Sequence, residues 1–207
     1  MQIETVHVYL FDTLADHEVG YLTVGIRNPM LQKHPGRYEI KTVGLTADPV
    51  FTMGGLTILP DMLLEQVEPG HSAMLVLPGG LAWEEGKGAE AIAKAVQFVA
   101  AGVPVAAICA ATAALARGGL LDTRKHTSNA REYIAATGYA GQELYQDRPA
   151  VTDGDVITAS GAAGLEFAFE VFRKLDLYTD EVHEATYGLF RTADPAYYAR
   201  LMELAGA

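Results

Sequence analysis

Short, almost wholly apolar runs alternate along this chain with longer segments whose apolar residues recur at helical spacing. Val6–Phe11, Tyr38–Val43, Ala73–Leu77, Val103–Ile108 and Val156–Ala159 are too short for helices, are bounded by glycine, proline or charge, and read as buried strands. Between them, a segment opened by Asp16 as a cap runs helically to Arg27 and stops before Pro29. Glu84–Ala101 is helical, with Ile92, Val96 and Val99 on one face. Ala110–Ala116, Arg131–Thr137 and Gly164–Lys174 follow as helices. Val50–Leu59, around Met53-Gly-Gly55, reads as a small hairpin, Pro60-Asp61 as the start of a short helix, and Arg124–Ser128 as a short strand. From about residue 178 to 205 the pattern is helical, and Leu189, Phe190, Tyr197, Tyr198 and Leu201 need cover from the body or from another chain. The alternation predicts one α/β domain over residues 1–207, a mostly parallel sheet with helices on both faces, extended by C-terminal helices.

In such sheets, sites lie beyond the carboxyl ends of the strands. Three groups converge there: the acidic segment after the first strand, Pro78-Gly79-Gly80 after the third, and Cys109. Cys109 is the single cysteine, and it stands where the run ending at Ile108 turns into the alanine-rich helix. Ala107 and Ala111, two residues to either side, suit a tight strand–turn–helix elbow whose backbones close on each other. A helix N-terminus beside the sulfur favours a thiolate. The alternative reading is a small buried hydrophobe among alanines.

Composition narrows the remaining classes. Half of the 207 residues are hydrophobic and one cysteine excludes an internal disulfide, which suits a reducing cytoplasm. The opening residues carry no secretory signal pattern, and the most apolar stretch, 95–116, is interrupted by Gly102 and Pro104. A net charge of −11 leaves no basic patch for nucleic acid or an anionic membrane, so neither is expected as a partner. His7, His34, His71 and His183 show no metal-ligand spacing, and the glycines at 79, 80, 86 and 88 do not spell a dinucleotide fingerprint; neither a metal nor a cofactor is expected.

Leu77-Pro-Gly-Gly80, Ala106-Ala-Ile-Cys109-Ala-Ala, Gly119-Leu-Leu-Asp-Thr-Arg-Lys-His-Thr-Ser-Asn129 and Thr158-Ala-Ser-Gly161 with Leu165-Glu-Phe-Ala168 together resemble the ThiJ/PfpI (DJ-one) superfamily, related in fold to class I glutamine amidotransferases. The resemblance covers roughly Val6 to Leu175. It implies a flavodoxin-like three-layer sandwich, a homodimer, and a nucleophile elbow at Cys109 acting on a small-molecule substrate. Activities assigned within the superfamily include proteases or amidases, glyoxalase-type enzymes, chaperones and oxidative-stress proteins. The acid of this family matches Glu18, which in its protonated form would donate to the thiolate. Gly80 and Ala110 would supply oxyanion-hole amides, and Gly79 and Trp83 would line the pocket.

The base is where the chain departs from these relatives. The position after the cysteine is Ala110, and the position on the following strand is Asn129 rather than histidine. His126 lies three residues earlier, so strand alternation turns it to the opposite face unless a bulge shifts the register. His126 is therefore a candidate base only with such a shift, and His17, beside Glu18, is a further one. Three functional readings remain: a cysteine hydrolase or glyoxalase-type lyase, a redox-responsive stress protein or chaperone, and a glutaminase-like subunit using His183 with Glu181 or Glu184.

Overall fold

The computed structural model describes residues 3–206. Seven strands form the main sheet in the order β5-β2-β1-β6-β7-β9-β8. These are β1 (Glu4–Tyr9), β2 (Tyr38–Gly44), β5 (Met62–Leu63), β6 (Ser72–Leu77), β7 (Val105–Ile108), β8 (Ala150–Asp153) and β9 (Val156–Ala159). All pairings are parallel except β8 with β9. A separate hairpin joins β3 (Val50–Phe51) to β4 (Thr57–Ile58).

Strand alternation divides the core in two. On β6 and β7, Leu75, Leu77, Val105 and Ala107 face one apolar layer, covered by α2 (Ala89–Ala100) and α3 (Ala110–Arg117). Met74, Val76, Ala106 and Ile108 face the other, covered by α1 (Gly20–Arg27) and α5 (Gly164–Lys174). The result is the flavodoxin-like sandwich, with α4 (Arg131–Ala135) beside α3.

Beyond α5, the expected helical extension is a hairpin of α6 (Asp180–Thr192) and α7 (Pro195–Leu204). Ala193 turns it in the left-handed region, and Asp194 caps α7 by accepting from the Ala196 N–H, with Pro195 in the first turn. Gly188 lets the Tyr197 ring close on α6, since a Cβ there would lie 2.4 Å from it. Leu201 is buried against Val182 and Ala185 of α6, with Leu31 and Tyr178 packed alongside, but Phe190 and Tyr198 stay 51% and 56% exposed.

Several local expectations need correction. Asp16 does not cap α1; its carboxylate accepts from Thr52 Oγ1 (2.6 Å) and the Gly54 N–H (3.1 Å), tying the β3–β4 hairpin to the body. Residues 16–19 instead form a 3-10 turn before α1. No helix starts at Pro60-Asp61: Met62–Leu63 pairs with β2 as β5, and only a 3-10 turn, Leu64–Gln66, follows. The second long helix starts at Ala89 rather than Glu84, because Gly86 and Gly88 adopt positive φ. Its buried face is Ala91, Ala95 and Phe98, with Val96 exposed. Arg124–Ser128 makes only an isolated bridge, His126 with Tyr145. The edge strand beyond β9 is β8, joined to it through the two-residue Gly154-Asp155 turn, a hairpin signal legible in the sequence.

Candidate active site

Cys109 ends β7 and caps α3 with φ 59° and ψ −128°, a conformation costly for a residue with a Cβ. Its N–H donates to Ala159 O (3.0 Å) on neighbouring β9, and its carbonyl accepts from Thr112 Oγ1 (2.6 Å) in the first turn of α3. Ala107 and Ala111 are fully buried at the elbow. The strained backbone therefore holds the sulfur above the sheet rather than within it, half-buried at the mouth of the fold.

Glu18 reaches the sulfur from the 3-10 turn after β1. It is 2% exposed, its Oε2 accepts from the Gly79 N–H at 2.7 Å, and its carboxyl lies with the Cys109 sulfur against Gly79 and Gly161. Burial raises the carboxyl above its ordinary value, with the Gly79 N–H and the thiol opposing. Burial likewise pushes Cys109 up to about 11; hydrogen bonds from Asn129 and the Ala110 N–H oppose this, and the Glu18 charge adds to it. Two negative charges in contact are costly, so between the raised titration of Glu18 and that of the thiol the pair holds one proton between its two atoms.

Asn129 fixes the other side of the sulfur. Its Nδ2 donates to Sγ at 3.3 Å, while its Oδ1 accepts from the Gly161 N–H at 2.8 Å. Two glycines wall the pair. A Cβ on Gly79 would lie 2.5 Å from the Cys109 Cβ, and one on Gly161 would lie 2.8 Å from Sγ and 3.0 Å from Glu18 Oε1. The Gly80 N–H has no protein acceptor among the described residues. The Gly79 N–H, by contrast, is committed to Glu18.

Two sequence-derived candidates do not reach the thiol. His126 is fully buried, with Nδ1 bonded to Arg124 O (2.7 Å) and Nε2 to Tyr139 Oη (2.6 Å). No bulge turns it, both ring nitrogens are engaged, and burial lowers its pKa; it is a packing residue rather than a base for Cys109. Trp83 does not line an open mouth over the thiol either. It is 2% exposed, donates from its indole N–H to Pro78 O (2.8 Å), and packs against Tyr9 and Phe11. His17 is exposed in the 3-10 turn before α1, and His183 lies on α6 beside Arg173 and Phe169. Among the described residues, no histidine therefore hydrogen-bonds Cys109.

Tyr133 and Gly161 belong to the neighbourhood and are not singled out by the sequence. The Tyr133 hydroxyl donates to Glu84 Oε1, bridging α4 to the segment after Gly80, close enough to Cys109 to feel its charge. Only Thr158-Ala-Ser-Gly161, read as the end of a strand, could have drawn attention to Gly161.

The family model for "DJ-1/PfpI family" matches residues 4–174. The chain belongs to the DJ-1/PfpI family. Among DJ-1/PfpI relatives, it is 38% identical over 205 residues to a Bacillus subtilis protein called uncharacterized protease YoaZ, covering 98% of each chain. A crystal structure of a thiJ/pfpI family protein from Bacillus anthracis superposes with a TM-score of 0.91 at 40% identity, covering 98% of this chain and 97% of that one. The DJ-1 superfamily protein Atu0886 from Agrobacterium tumefaciens gives a TM-score of 0.83 at 35% identity, covering 92% and 99%. The DJ-1/PfpI match ends at α5, so α6 and α7 lie beyond the family model but within the span shared with the two Bacillus relatives.

Proposed function

We propose that this protein is a cysteine-dependent enzyme that attacks the carbonyl carbon of small amides or reactive carbonyls through the Cys109 thiolate. The observation that carries the reading is the strained Cys109 elbow, with Asn129 donating to its sulfur and the Glu18 carboxyl packed against it between Gly79 and Gly161. The proton moves from sulfur to Glu18, and the thiolate forms an S–C bond as the carbonyl π pair moves onto oxygen. The Gly80 and Ala110 amides hold that oxyanion. With an amide, collapse expels the amine, which takes the proton from Glu18. Water then hydrolyses the thioester, and its proton returns to the pair. With an aldehyde, the adduct is a hemithioacetal. The name of the Bacillus subtilis relative, an uncharacterized protease, fits hydrolysis at the level of reaction class. The test is turnover of methylglyoxal, small amides and short peptides by wild type and Cys109→Ala. Loss of at least about a hundredfold in the variant is expected, within the range that nucleophile removal produces; equal rates would sink the proposal.

A second reading rests on the lack of a histidine at the sulfur among the described residues. Peroxide would oxidise the thiolate first to a sulfenate and then to a sulfinate, each step releasing water, with the acid form of Glu18 and the elbow amides binding the new oxygens. Mass spectrometry after mild peroxide would show two oxygens on Cys109 ahead of any methionine. A homodimer belongs to the same proposal. Its surface is the apolar face of α1 and the α6–α7 hairpin, where Tyr21, Val24, Met30, Phe190 and Tyr198 are exposed around a groove of about 570 Å³.

A further inference from the structure

The chain runs from β1 outward to β2 and then crosses back to β6 on the other side of β1, so the strand order reverses between β1 and β6. Crevices at such a reversal are where open α/β sheets hold ligands. The thiol is not in this crevice; it stands one strand further along, after β7. Outside the carboxyl ends of β1, β2 and β6 lie two adjoining hollows of about 250 and 290 Å³, which share Tyr9, Phe11, Asp12 and Leu45 as lining.

The floor of this cleft is aromatic. Phe11 stacks on Tyr9 at 5.4 Å between ring centroids and meets Trp83 edge-on at 5.4 Å. Gly80 makes room for Phe11, because a Cβ there would lie 2.6 Å from its ring. One polar group in the floor is unused. Tyr9 is 2% exposed, and its hydroxyl makes no hydrogen bond to any described residue. The hydroxyl is not sealed in protein either, since His7 Nδ1 is the one fully enclosed side-chain polar atom without a partner among the described residues. A buried, unpartnered hydroxyl at the end of a ring that lines both hollows is a group waiting for a ligand atom. Burial, with the Glu90 charge adding to it, keeps it protonated and pushes its pKa up to about 12.

The rim sets the charge of what would bind. Asp12, Asp48 and Glu85 line it against a single ammonium, Lys87, already paired with Glu85 at 2.6 Å. Asp12 uses Oδ1 to accept from the Phe51 N–H, and Asp48 uses Oδ2 to accept from Thr46, so each keeps a carboxylate oxygen for another donor. We propose that this cleft is a second ligand site, distinct from the thiol, that takes a small aromatic ammonium compound. The flat ring lies against Phe11 and the edge of Trp83, a ring substituent bonds the Tyr9 hydroxyl, and the ammonium sits at Asp12.

Trp83 is the single tryptophan of the chain and forms part of the cleft wall, so its emission reads occupancy directly. The experiment titrates the full-length protein with tyramine, and with 4-hydroxyphenylacetate as the anion of like ring. Saturable change with tyramine below about 1 mM is expected. The anion should bind at least tenfold more weakly, as should tyramine to Asp12→Asn and to Tyr9→Phe. Both substitutions keep size, and the new amide oxygen in Asp12→Asn can still accept from the Phe51 N–H. Cys109→Ala should bind as wild type does. Absence of saturation, equal binding of the anion, or unchanged binding in both cleft variants would overturn the proposal, and loss of binding in Cys109→Ala would move the ligand to the thiol. Because the readout is binding in a thiol-free protein, the cleft stands or falls independently of catalysis.

Discussion

Glu18 and Cys109 are packed between the same two glycines, with Gly79 against one side of the pair and Gly161 against the other. Gly161 does not adopt positive φ, so alanine there adds no backbone strain, only a methyl group 2.8 Å from Sγ. Gly161→Ala should displace the sulfur from Asn129 while leaving the sheet intact. Iodoacetamide labelling near neutral pH should slow by about tenfold or more, a change of about 1.4 kcal/mol in the reactive population. Overpacking should cost about 1–3 kcal/mol of stability. A labelling rate equal to wild type would mean that the glycine wall does not control the thiol.

The shared proton has a signature in the pH dependence of labelling. Between the raised titration of Glu18 and about 11, the wild-type pair neither gains nor loses a proton; the proton only moves between oxygen and sulfur. The thiolate fraction, and with it the rate, should therefore be flat across that interval. Glu18→Gln removes the second site, so the thiol titrates alone and the rate should fall about tenfold for each pH unit below its pKa. A wild-type rate that already falls tenfold per unit through neutrality would show that no proton is shared.

His7 should make the fold acid-sensitive by itself. It is buried on β1 with Nδ1 unpartnered among the described residues, and burial lowers its pKa from 6.5 to about 4, with Glu39 opposing. Between those values the unfolded chain binds a proton that the folded chain does not. Stability from this group is thus present above 6.5 and declines as pH falls toward 4, by up to about 3 kcal/mol. Urea unfolding of His7→Leu against wild type at pH 7 and pH 4.5 should show the difference between the two proteins shifting in the variant's favour at the lower pH. Parallel losses in both would assign the acid sensitivity elsewhere.

The apolar face of α1 and the α6–α7 hairpin gives a prediction about assembly. Val24 is 61% exposed beside the groove, so a charge there costs an isolated chain almost nothing. If two copies meet on this face, Val24→Glu should sediment as a monomer at concentrations where wild type is a dimer, with an unchanged melting temperature at low concentration. Sedimentation of both proteins as the same species would remove this face as the contact.

Much of this site was legible because it rests on short-range patterns. The apolar run ending at Ile108 and the alanines around Cys109 specify the elbow through local geometry alone. What was not legible depends on contacts between distant segments. Asp16 has every mark of a helix cap, but the β3–β4 hairpin offers its carboxylate two donors, and tertiary bonding outweighs the local preference. Met62–Leu63 carries no strand signal of its own and becomes one because the edge of β2 is open. Trp83 follows the glycine turn, a position that points to the thiol pocket, but Gly80 redirects the chain and the ring joins Tyr9 and Phe11 instead. His126 faces as strand alternation requires even though the strand itself shrinks to a single bridge.

The bond from the Cys109 N–H to Ala159 O imposes an order of events during synthesis. A chain emerging from the ribosome as far as α4 already contains Cys109, Glu18 and Asn129, but neither the acceptor that anchors the elbow nor Gly161, which closes over it. Until β9 arrives, the elbow lacks the bond that holds the Cys109 backbone in its strained conformation. The surroundings of residue 109 are completed by residues translated some fifty codons later.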